Sequence, residues 1–253
     1  MTFTLHHGDC LEVMAGMEAG SIDFIFTDPP YGHNNNDGDL ISRREAALGV
    51  PPSGEATRPI ANDGPEEAAG LLREALPHFR RLLKAGCCCC CCCCCGGGGP
   101  DPQCARWSLA IDRELEFKQM VVWDKGPMGM GWHYRRSYEI VLVAMKAGGP
   151  CRWYDESGRV ENIIRPNHKG IHKIIPSADE HPTPKPVELV KHFLQLHTKP
   201  GDVVLDPFMG GGSTGVACVE LGRHFIGVEL DERWFENARA RIEAAAAQMR
   251  LPV

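Results

Sequence analysis

The apolar residues of this 253-residue chain fall into two patterns, short runs and helically spaced positions, which alternate from end to end. Short apolar runs between polar or glycine-rich stretches are typical of buried strands, and apolar residues three or four positions apart are typical of helices. Strands are predicted at residues 4–7, 22–27, 87–95, 120–123, 138–145, 202–208 and 224–230. Helices are predicted at residues 11–17, 66–84, 102–117, 184–197, 216–221 and 231–249. This alternation predicts an α/β fold, with a mixed, mostly parallel sheet flanked by helices.

Two stretches depart from this alternation. Residues 32–64 are rich in glycine, proline and asparagine and predict a long loop, after which Asp63 or Asn62 is expected to cap the next helix. Residues 148–180 are polar and turn-rich, and their lysines and arginines are interleaved with aromatic residues. That composition suits contacts with phosphates and stacked bases, although a solvated surface excursion explains it as well.

Nine consecutive cysteines occupy residues 87–95. Consecutive side chains of a strand alternate between its two faces, so neighbouring thiols cannot converge on one metal ion. Because cysteine is a small apolar residue that is readily buried, the run predicts a central strand of the sheet rather than a metal or redox site. A reducing compartment is expected, since exposed thiols would crosslink in an oxidising one.

Composition and charge are those of a globular protein of one domain or slightly more. Hydrophobic residues make up 43% and charged residues 24% of the chain, and no apolar run approaches the roughly 18 residues that span a bilayer. The first residues lack the pattern of a signal peptide, so a soluble cytoplasmic protein is expected. The net charge of −6 argues against nonspecific coating of nucleic acid, but local fields decide whether an enzyme acts on it.

The stretch Asp28-Pro29-Pro30-Tyr31 directly follows a predicted buried strand. Two prolines exclude a helix or a continued strand, so these groups lie at the carboxyl end of the strand, where open α/β sheets bind ligands. The Asp28 carboxylate and a proline carbonyl can accept both hydrogens of one amino group, and Tyr31 can stack on a flat ring. A turn would explain Asp-Pro-Pro alone, but the ring and a second motif favour an enzyme acting on the exocyclic amine of a base.

The second motif, residues 202–230, is a strand, a glycine-rich turn, a helix and a strand that ends in Glu229. Small residues let the backbone pass close to a nucleoside, and a terminal acid can accept both ribose hydroxyls. Gly210, Gly212 and Gly215 match the dinucleotide fingerprint, so a dehydrogenase is an alternative. It is disfavoured because the unit lies at the end of the chain and because a dehydrogenase gives no reason for Asp-Pro-Pro-Tyr.

In this order, the two motifs resemble those of the S-adenosylmethionine-dependent DNA amino-methyltransferases of the permuted β subgroup. Further matches are Gly8-Asp9-Cys10, Trp123-Asp124-Lys125, Tyr138-Glu139 and His181-Pro182-Thr183-Pro184-Lys185-Pro186. The resemblance implies a Rossmann-like class I methyltransferase fold with circularly permuted motifs. It implies a catalytic half at residues 1–147, a target-recognition segment at 148–180 and an S-adenosylmethionine-binding half at 181–253. The resemblance does not cover the loop at 32–64, whose length alone predicts a functional or mobile segment.

The resemblance also implies roles for single residues. Asp28 and the Pro29 carbonyl would hold the target amine, Pro30 belongs to the same motif, and Tyr31 would stack on the base. The implied cofactor-binding residues are Asp9, Thr183, Lys185, Asp206, Phe208, Gly210, Gly212 and Glu229, with Asp9 on the adenine and Glu229 on the ribose. For Asp9, a helix cap is an equally good explanation. The candidate DNA-contacting residues are Arg135, Arg136, Trp153, Arg159, Arg165, His168, Lys169 and Lys173.

The activity that the resemblance implies is methyl transfer to the N6 amine of a flipped adenine in double-stranded DNA, alone or within a restriction–modification system. A homodimer without a metal ion is expected. Three alternatives stay open: an N4-cytosine DNA methyltransferase, an RNA or protein amine methyltransferase, and an inactive DNA-binding regulator.

Overall fold

The chain is built around one mixed sheet with helices on both faces. The computed structural model describes residues 1–32, 61–93, 103–126, 137–165 and 184–249. The strands are β1 (Phe3–His7), β2 (Phe24–Thr27), β3 (Cys88–Cys93), β4 (Glu116–Asp124), β5 (Tyr138–Met145), β6 (Ile163–Ile164), β7 (Val203–Asp206) and β8 (His224–Glu229). The helices are α1 (Cys10–Gly16), α2 (Pro65–Leu82), α3 (Gln103–Glu114), α4 (Val187–His197), α5 (Ser213–Leu221) and α6 (Glu232–Gln248).

The strand order is β1-β8-β7-β2-β3-β5-β4-β6. Every neighbouring pair from β1 to β3 is parallel, β5 is antiparallel to both β3 and β4, and β6 is parallel to β4. The prediction of a mixed, mostly parallel sheet is therefore confirmed. As a result, Thr27, Asp206 and Glu229 end their strands at one edge, called here the site edge. Phe24 and Val203 begin their strands at the opposite edge, called here the far edge.

Two hydrophobic clusters fix the helices to the sheet. One includes Phe193 of α4 and Ile242 of α6, and the other includes Met14 of α1, Leu76 of α2 and Trp107 of α3. Each of these side chains is at most 2% exposed. Burying one large apolar side chain is worth about 1.5–3 kcal/mol, so these clusters hold the strand ends at fixed positions.

The cysteine run forms β3, in the interior of the sheet between β2 and β5. Its side chains alternate between the two hydrophobic clusters, with Cys88, Cys90 and Cys92 on one face and Cys87, Cys89 and Cys91 on the other. All six are at most 2% exposed, which confirms the predicted buried central strand. Burial also raises the pKa of the thiols, for Cys89 to about 12, so they are uncharged at neutral pH.

Helix α2 begins differently from the sequence prediction. Neither Asp63 nor Asn62 caps it: Gly64 occupies the cap position without a side-chain bond, and Pro65 follows. Proline suits this position because its missing N–H would have no partner in a first helical turn. Asp63 instead accepts a hydrogen bond of 2.8 Å from the N–H of Gly32, so it connects the turn after β2 to the start of α2.

Other sequence predictions have different outcomes. Strand β6 was not predicted, because two residues are too few for an apolar pattern to show. Residues 33–60 of the predicted loop, and Cys94 and Cys95, lie outside the described residues. Within the described ranges, no helix is both long enough and apolar enough to cross a membrane.

An ion cluster at the far edge fixes the segment that follows β5. Asp23, only 3% exposed, receives hydrogen bonds from Lys84 at 2.8 Å, from Arg152 at 2.7 Å and from the N–H of Val203 at 3.0 Å. Burial raises the pKa of Asp23, but these donors outweigh it and hold that pKa below its usual value. The cluster therefore attaches Arg152 to the start of the central strands while Asp23 is ionised.

Candidate active site

A pocket opens at the site edge, above the ends of β1, β2, β7 and β8. Its walls are the turns that follow these strands, residues 8–10, 28–31, 206–211 and 228–231, together with Lys185 in front of α4. This position agrees with the rule that open α/β sheets bind ligands outside the carboxyl ends of their strands. The pocket thus brings together the two sequence motifs, which are far apart along the chain.

Asp28 directs its carboxylate into the site from the end of β2. All four residues of β2 are buried, so the position of this strand end is fixed. The Asp28 side chain is 19% exposed, and the Nζ of Lys185 lies 2.6 Å from its Oδ2, while the hydroxyl of Tyr31 donates to its Oδ1. Burial raises the pKa of Asp28, and the Lys185 ammonium and the Tyr31 hydroxyl oppose that rise.

The Tyr31 ring borders the pocket and is 7% exposed. It is tilted against Trp107, with ring centroids 6.3 Å apart, and the Nζ of Lys185 lies 5.2 Å from its centroid. The ring is therefore supported from α3 by a residue that the sequence did not indicate, because α3 has the pattern of an ordinary amphipathic helix. Stacking of Tyr31 on a base stays a prediction.

Lys185 lies beside Asp28 in the pocket. Besides Asp28, its Nζ contacts the Tyr31 hydroxyl at 2.6 Å and lies 3.6 Å from Oε2 of Glu139 on β5. Lys125, directly after β4, donates to the other carboxylate oxygen of Glu139. Glu139 and Lys125 belong to two motifs of the family resemblance, Tyr138-Glu139 and Trp123-Asp124-Lys125, for which the sequence predicted no role.

Glu229 ends β8 with its carboxylate already oriented. Its Oε2 accepts a hydrogen bond of 2.8 Å from the N–H of Gly210, and its Oε1 accepts one of 2.9 Å from the N–H of Asp231. Burial raises the pKa of Glu229, and these N–H groups oppose the rise. The two bonds use one lone pair on each oxygen, so further acceptor capacity stays available to a ligand.

The glycines of the turn before α5 differ in what they do. Gly210 and Gly211 border the pocket, and Gly210 adopts a left-handed conformation, with φ of 50°. Gly212, with φ of 77°, is the cap residue of α5 and is not among the pocket-lining residues. A Cβ on Gly212 would lie 2.9 Å from the Cβ of Ala238, so this glycine permits close packing of α5 against α6.

Three further predicted cofactor residues border the pocket. Asp206 is 3% exposed and accepts hydrogen bonds from the Thr214 hydroxyl at 2.6 Å and from the N–H of Phe208 at 3.1 Å. Phe208 itself lines the pocket. Asp9 accepts a hydrogen bond of 2.7 Å from the N–H of Leu11, so its role as the cap of α1 is confirmed, while its contact with a ligand stays a prediction. Thr183 lies outside the described residues.

The predicted DNA-contacting residues separate into groups. Five of them lie outside the described residues: Arg135, Arg136, His168, Lys169 and Lys173. Trp153 lies at the far edge, where its ring meets that of His197 edge-on at 5.2 Å. Arg159 is exposed, and Arg165 follows β6 at the site edge, where it forms an exposed ion pair with Glu161. The segment from residue 148 onwards therefore runs from the far edge to the site edge.

Comparison with known proteins decides the family. A family model described as DNA methylase matches residues 22–240. The chain belongs to this family. The assignment confirms the prediction, made from the two motifs, of a DNA methyltransferase that takes its methyl group from S-adenosylmethionine.

Two relatives of this DNA methylase cover nearly its whole length. DNA adenine methyltransferase YhdJ of Escherichia coli (strain K12) is 26% identical over 271 aligned positions, and the alignment covers 96% of this chain and 83% of YhdJ. Type II methyltransferase M2.DpnII of Streptococcus pneumoniae is 27% identical over 256 aligned positions, and the alignment covers 95% of this chain and 89% of M2.DpnII.

Solved structures share the fold of this DNA methylase. The M1.HpyAVI–SAM complex matches with a TM-score of 0.63 at 24% identity, covering 95% of this chain and 99% of its own. PvuII DNA methyltransferase, described as cytosine-N4-specific, matches with a TM-score of 0.69 at 15% identity, covering 98% and 93%. The predicted methyltransferase fold is therefore confirmed.

Proposed function

We propose that this DNA methylase transfers the methyl group of S-adenosylmethionine to the N6 amine of an adenine flipped out of duplex DNA. The observation that carries the proposal is the shared pocket: Asp28 and the glycine-rich turn with Glu229 border one cavity. Reacting atoms must come within about 3–3.5 Å of each other, and two ligand sites that open into the same cavity allow this.

The half of the pocket around Glu229 fits a nucleoside that carries a sulfonium group. The Glu229 carboxylate is held by two backbone N–H groups and can accept ribose hydroxyls. Gly8, Gly210 and Gly211 line the wall without side chains that would block a ligand, and Phe208 adds an apolar surface. When bound, S-adenosylmethionine supplies an electrophilic methyl group on a positively charged sulfur.

The half around Asp28 fits an aromatic amine. Such an amine is a poor nucleophile because its lone pair is delocalised into the ring. The Asp28 carboxylate and the Pro29 carbonyl can accept its two N–H groups, which favours a pyramidal nitrogen and stabilises the positive charge that develops on it. Proline has no backbone N–H, so Pro29 and Pro30 direct only acceptors toward the amine.

The target base has to leave the duplex to reach this pocket. Unstacking and unpairing a base costs a few kcal/mol, and stacking on an aromatic ring returns about 1–3 kcal/mol. Tyr31 borders the pocket beside Asp28 and is held by Trp107, so it offers a ring at the place where a flipped base would enter.

Adenine N6 is preferred over cytosine N4 as the acceptor. In the DNA amino-methyltransferases that this chain resembles, Asp-Pro-Pro-Tyr favours adenine as the substrate base and Ser-Pro-Pro favours cytosine. This chain carries Asp28 at the first position of the motif. The relative YhdJ is named a DNA adenine methyltransferase. PvuII methyltransferase acts on cytosine N4 with the same fold, so the fold alone does not choose the base.

Contacts with the DNA backbone are assigned to the segment 148–180, in particular to Arg159, Arg165, His168, Lys169 and Lys173, and to Arg135 and Arg136, which precede it in the sequence. The position of Arg165 at the site edge supports this assignment. Trp153, packed on His197 at the far edge, is a weaker candidate. The proposal further includes a homodimer in the cytoplasm, without a catalytic metal ion, and one domain with the two halves 1–147 and 181–253.

Product analysis tests the proposal. Wild type and Asp28→Ala would be incubated with labelled S-adenosylmethionine and unmethylated genomic DNA, and the product nucleosides would be separated. The expected result is label in N6-methyladenine that disappears in Asp28→Ala but persists in Asp112→Ala, an exposed carboxylate on α3. Label in N4-methylcytosine would contradict the base, and label only in RNA or protein would contradict the DNA substrate. Cofactor binding without any transfer would indicate an inactive regulator.

A further inference from the structure

The Lys185 ammonium group is buried and held by hydrogen bonds in the half of the pocket around Asp28. The residue is 7% exposed, and Pro184 and Pro186 flank it. Proline fixes its own φ and restricts the residue before it, so the backbone of Lys185 loses little freedom when its side chain is ordered. Its Nζ lies 2.6 Å from Oδ2 of Asp28 and 2.6 Å from the hydroxyl of Tyr31.

These contacts form a closed triangle of hydrogen bonds. Lys185 donates to Asp28 and to the Tyr31 hydroxyl, and that hydroxyl donates to the other oxygen of Asp28. A carboxylate offers about four lone-pair sites, so both of these donors leave room on Asp28 for an incoming amine. The triangle therefore orients the carboxylate without saturating it.

We propose that Lys185 is a positioning residue of the amine site, whose ammonium group keeps the partly buried Asp28 carboxylate negatively charged and oriented before the target amine binds. The inference rests on the proposed function for its catalytic meaning, but the state of Asp28 can be measured without catalysis. A protonated Asp28 would lose acceptor capacity and could no longer stabilise positive charge on the amine nitrogen.

The groups that face Asp28 agree with this assignment. Beside Tyr31 and Lys185, they are Glu139 from β5, Asp206 from β7, and the thiols of Cys91 and Cys92 from β3. The negative charge of Glu139 and the desolvation of the partly buried Asp28 favour protonation of Asp28. Among these groups Lys185 is the cation, so it supplies the charge that opposes them.

Glu139 provides a second test, because its charge affects the pKa of Asp28 in the opposite direction to that of Lys185. Its carboxylate, 3.6 Å from Lys185, carries a negative charge that raises the pKa of Asp28. Removing the Lys185 charge should therefore make Asp28 harder to ionise, whereas removing the Glu139 charge should make it easier. Loss of structure alone would not shift the two variants in opposite directions.

The direct test is carbon-13 NMR of the aspartate carboxyl groups over pH 3 to 9, with the Asp28 signal identified by its loss in Asp28→Asn. An opposite charge within hydrogen-bonding distance typically moves a carboxyl pKa by about 1–3 units. We expect the midpoint of Asp28 to rise by at least about one unit in Lys185→Met, to stay near wild type in Lys185→Arg and to fall in Glu139→Gln. Lys191→Met, which changes a lysine of α4 that is paired with Glu188 and Glu220 and does not line the pocket, should leave it unchanged. An unchanged midpoint in Lys185→Met would overturn the proposal.

Methyl transfer provides the second readout and separates positioning from cofactor binding. At saturating S-adenosylmethionine, the acidic limb of the pH profile of the single-turnover rate should move to higher pH in Lys185→Met, because the pKa of Asp28 rises. Cofactor affinity should stay within about twofold of wild type, because the change affects only the half of the pocket around Asp28. A pH-independent loss with weakened cofactor binding would instead make Lys185 a cofactor residue. Wild-type protein that methylates no DNA would contradict the proposed function, while the NMR titration would still decide the state of Asp28.

Discussion

Asp206 shows how burial changes the ionisation of a single residue of the pocket. It ends β7 at 3% exposure, and burial raises the pKa of its carboxyl to about 7 despite hydrogen bonds from Thr214 and from the N–H of Phe208. In the unfolded chain an aspartate titrates near pH 3.9. Between about pH 4 and 7 the folded protein therefore binds a proton that the unfolded chain has released, and stability contributed by this group falls as pH rises.

An asparagine at position 206 should remove this dependence. Asp206→Asn keeps the shape and can still bond Thr214, whose hydroxyl can reorient. Urea unfolding of the ligand-free protein at several pH values should show wild type losing up to about 1.4 kcal/mol per pH unit relative to Asp206→Asn. The exposed control Asp112→Asn should follow wild type. Parallel profiles of wild type and Asp206→Asn between pH 4 and 7 would refute the raised pKa.

At the scale of elements, the pocket depends on how closely α5 and α6 pack. Gly212 caps α5 in a left-handed conformation, and a Cβ there would lie 2.9 Å from the Cβ and 3.0 Å from the Cα of Ala238. Backbone atoms cannot give way as a flexible side chain can. The glycine-rich turn therefore combines two requirements, an open pocket wall at Gly210 and a tight helix contact at Gly212.

Gly201 provides a matched control for this contact. It has φ of 87°, close to the 77° of Gly212, but a Cβ there would meet nothing within 4 Å. Both alanine substitutions should pay the cost of a left-handed conformation, about 1–2 kcal/mol, and Gly212→Ala should lose about 1–3 kcal/mol more through overpacking. Urea unfolding measures the difference, and equal free energies of unfolding for the two variants would show that the helices accommodate a methyl group.

At the scale of the whole molecule, the two edges of the sheet serve different purposes. The site edge holds the pocket, and the far edge holds the ion cluster of Asp23, Lys84 and Arg152. Asp23 directly precedes β2 and Asp28 directly follows it. This strand therefore connects the ion cluster at the far edge to the pocket at the site edge. Removing the cluster should therefore affect stability and leave the chemical step intact.

Asp23→Asn tests this division. Hydrogen bonds to a charged group are worth about 1.5–3 kcal/mol each, so we expect urea unfolding to show a loss in that range or above. The single-turnover rate at saturating cofactor, measured where the variant is folded, should stay within about twofold because Asp23 is not among the residues that line the pocket. Asp155→Asn, whose carboxylate bonds Ser157 in an exposed turn, should lose less stability. A large fall in the transfer rate of folded Asp23→Asn would contradict the separation.

Much of this architecture could be predicted from the sequence because its signals are local. Apolar runs mark the strands, and the proline pair and the glycine-rich turn mark the strand ends that form the pocket. The cysteine run was predictable as a central strand for the same reason, since burial of a small apolar side chain needs no specific partner.

Contacts between distant residues could not be predicted in the same way. Lys185 and Asp28 are 157 positions apart, and Arg152 and Asp23 are 129 apart, so only the folded sheet shows that each pair meets. The family resemblance placed Lys185 among the cofactor-binding residues, which stays a prediction, and only the structure shows its contacts with Asp28 and Tyr31. Likewise, Trp153 lies in a segment whose composition suits base stacking, and only the direction of α4 places it at the far edge.

A paired measurement of cofactor affinity and methyl transfer in Asp28→Asn and Glu229→Gln tests the shared pocket most directly. If one pocket holds both ligands in separate halves, Asp28→Asn should bind S-adenosylmethionine within about twofold of wild type but lose at least about 100-fold in single-turnover transfer to duplex DNA. Glu229→Gln should lose about 10- to 100-fold in cofactor affinity, the value of a hydrogen bond to a charged group. Equal effects of both variants on cofactor affinity, or full transfer by Asp28→Asn, would contradict the assignment.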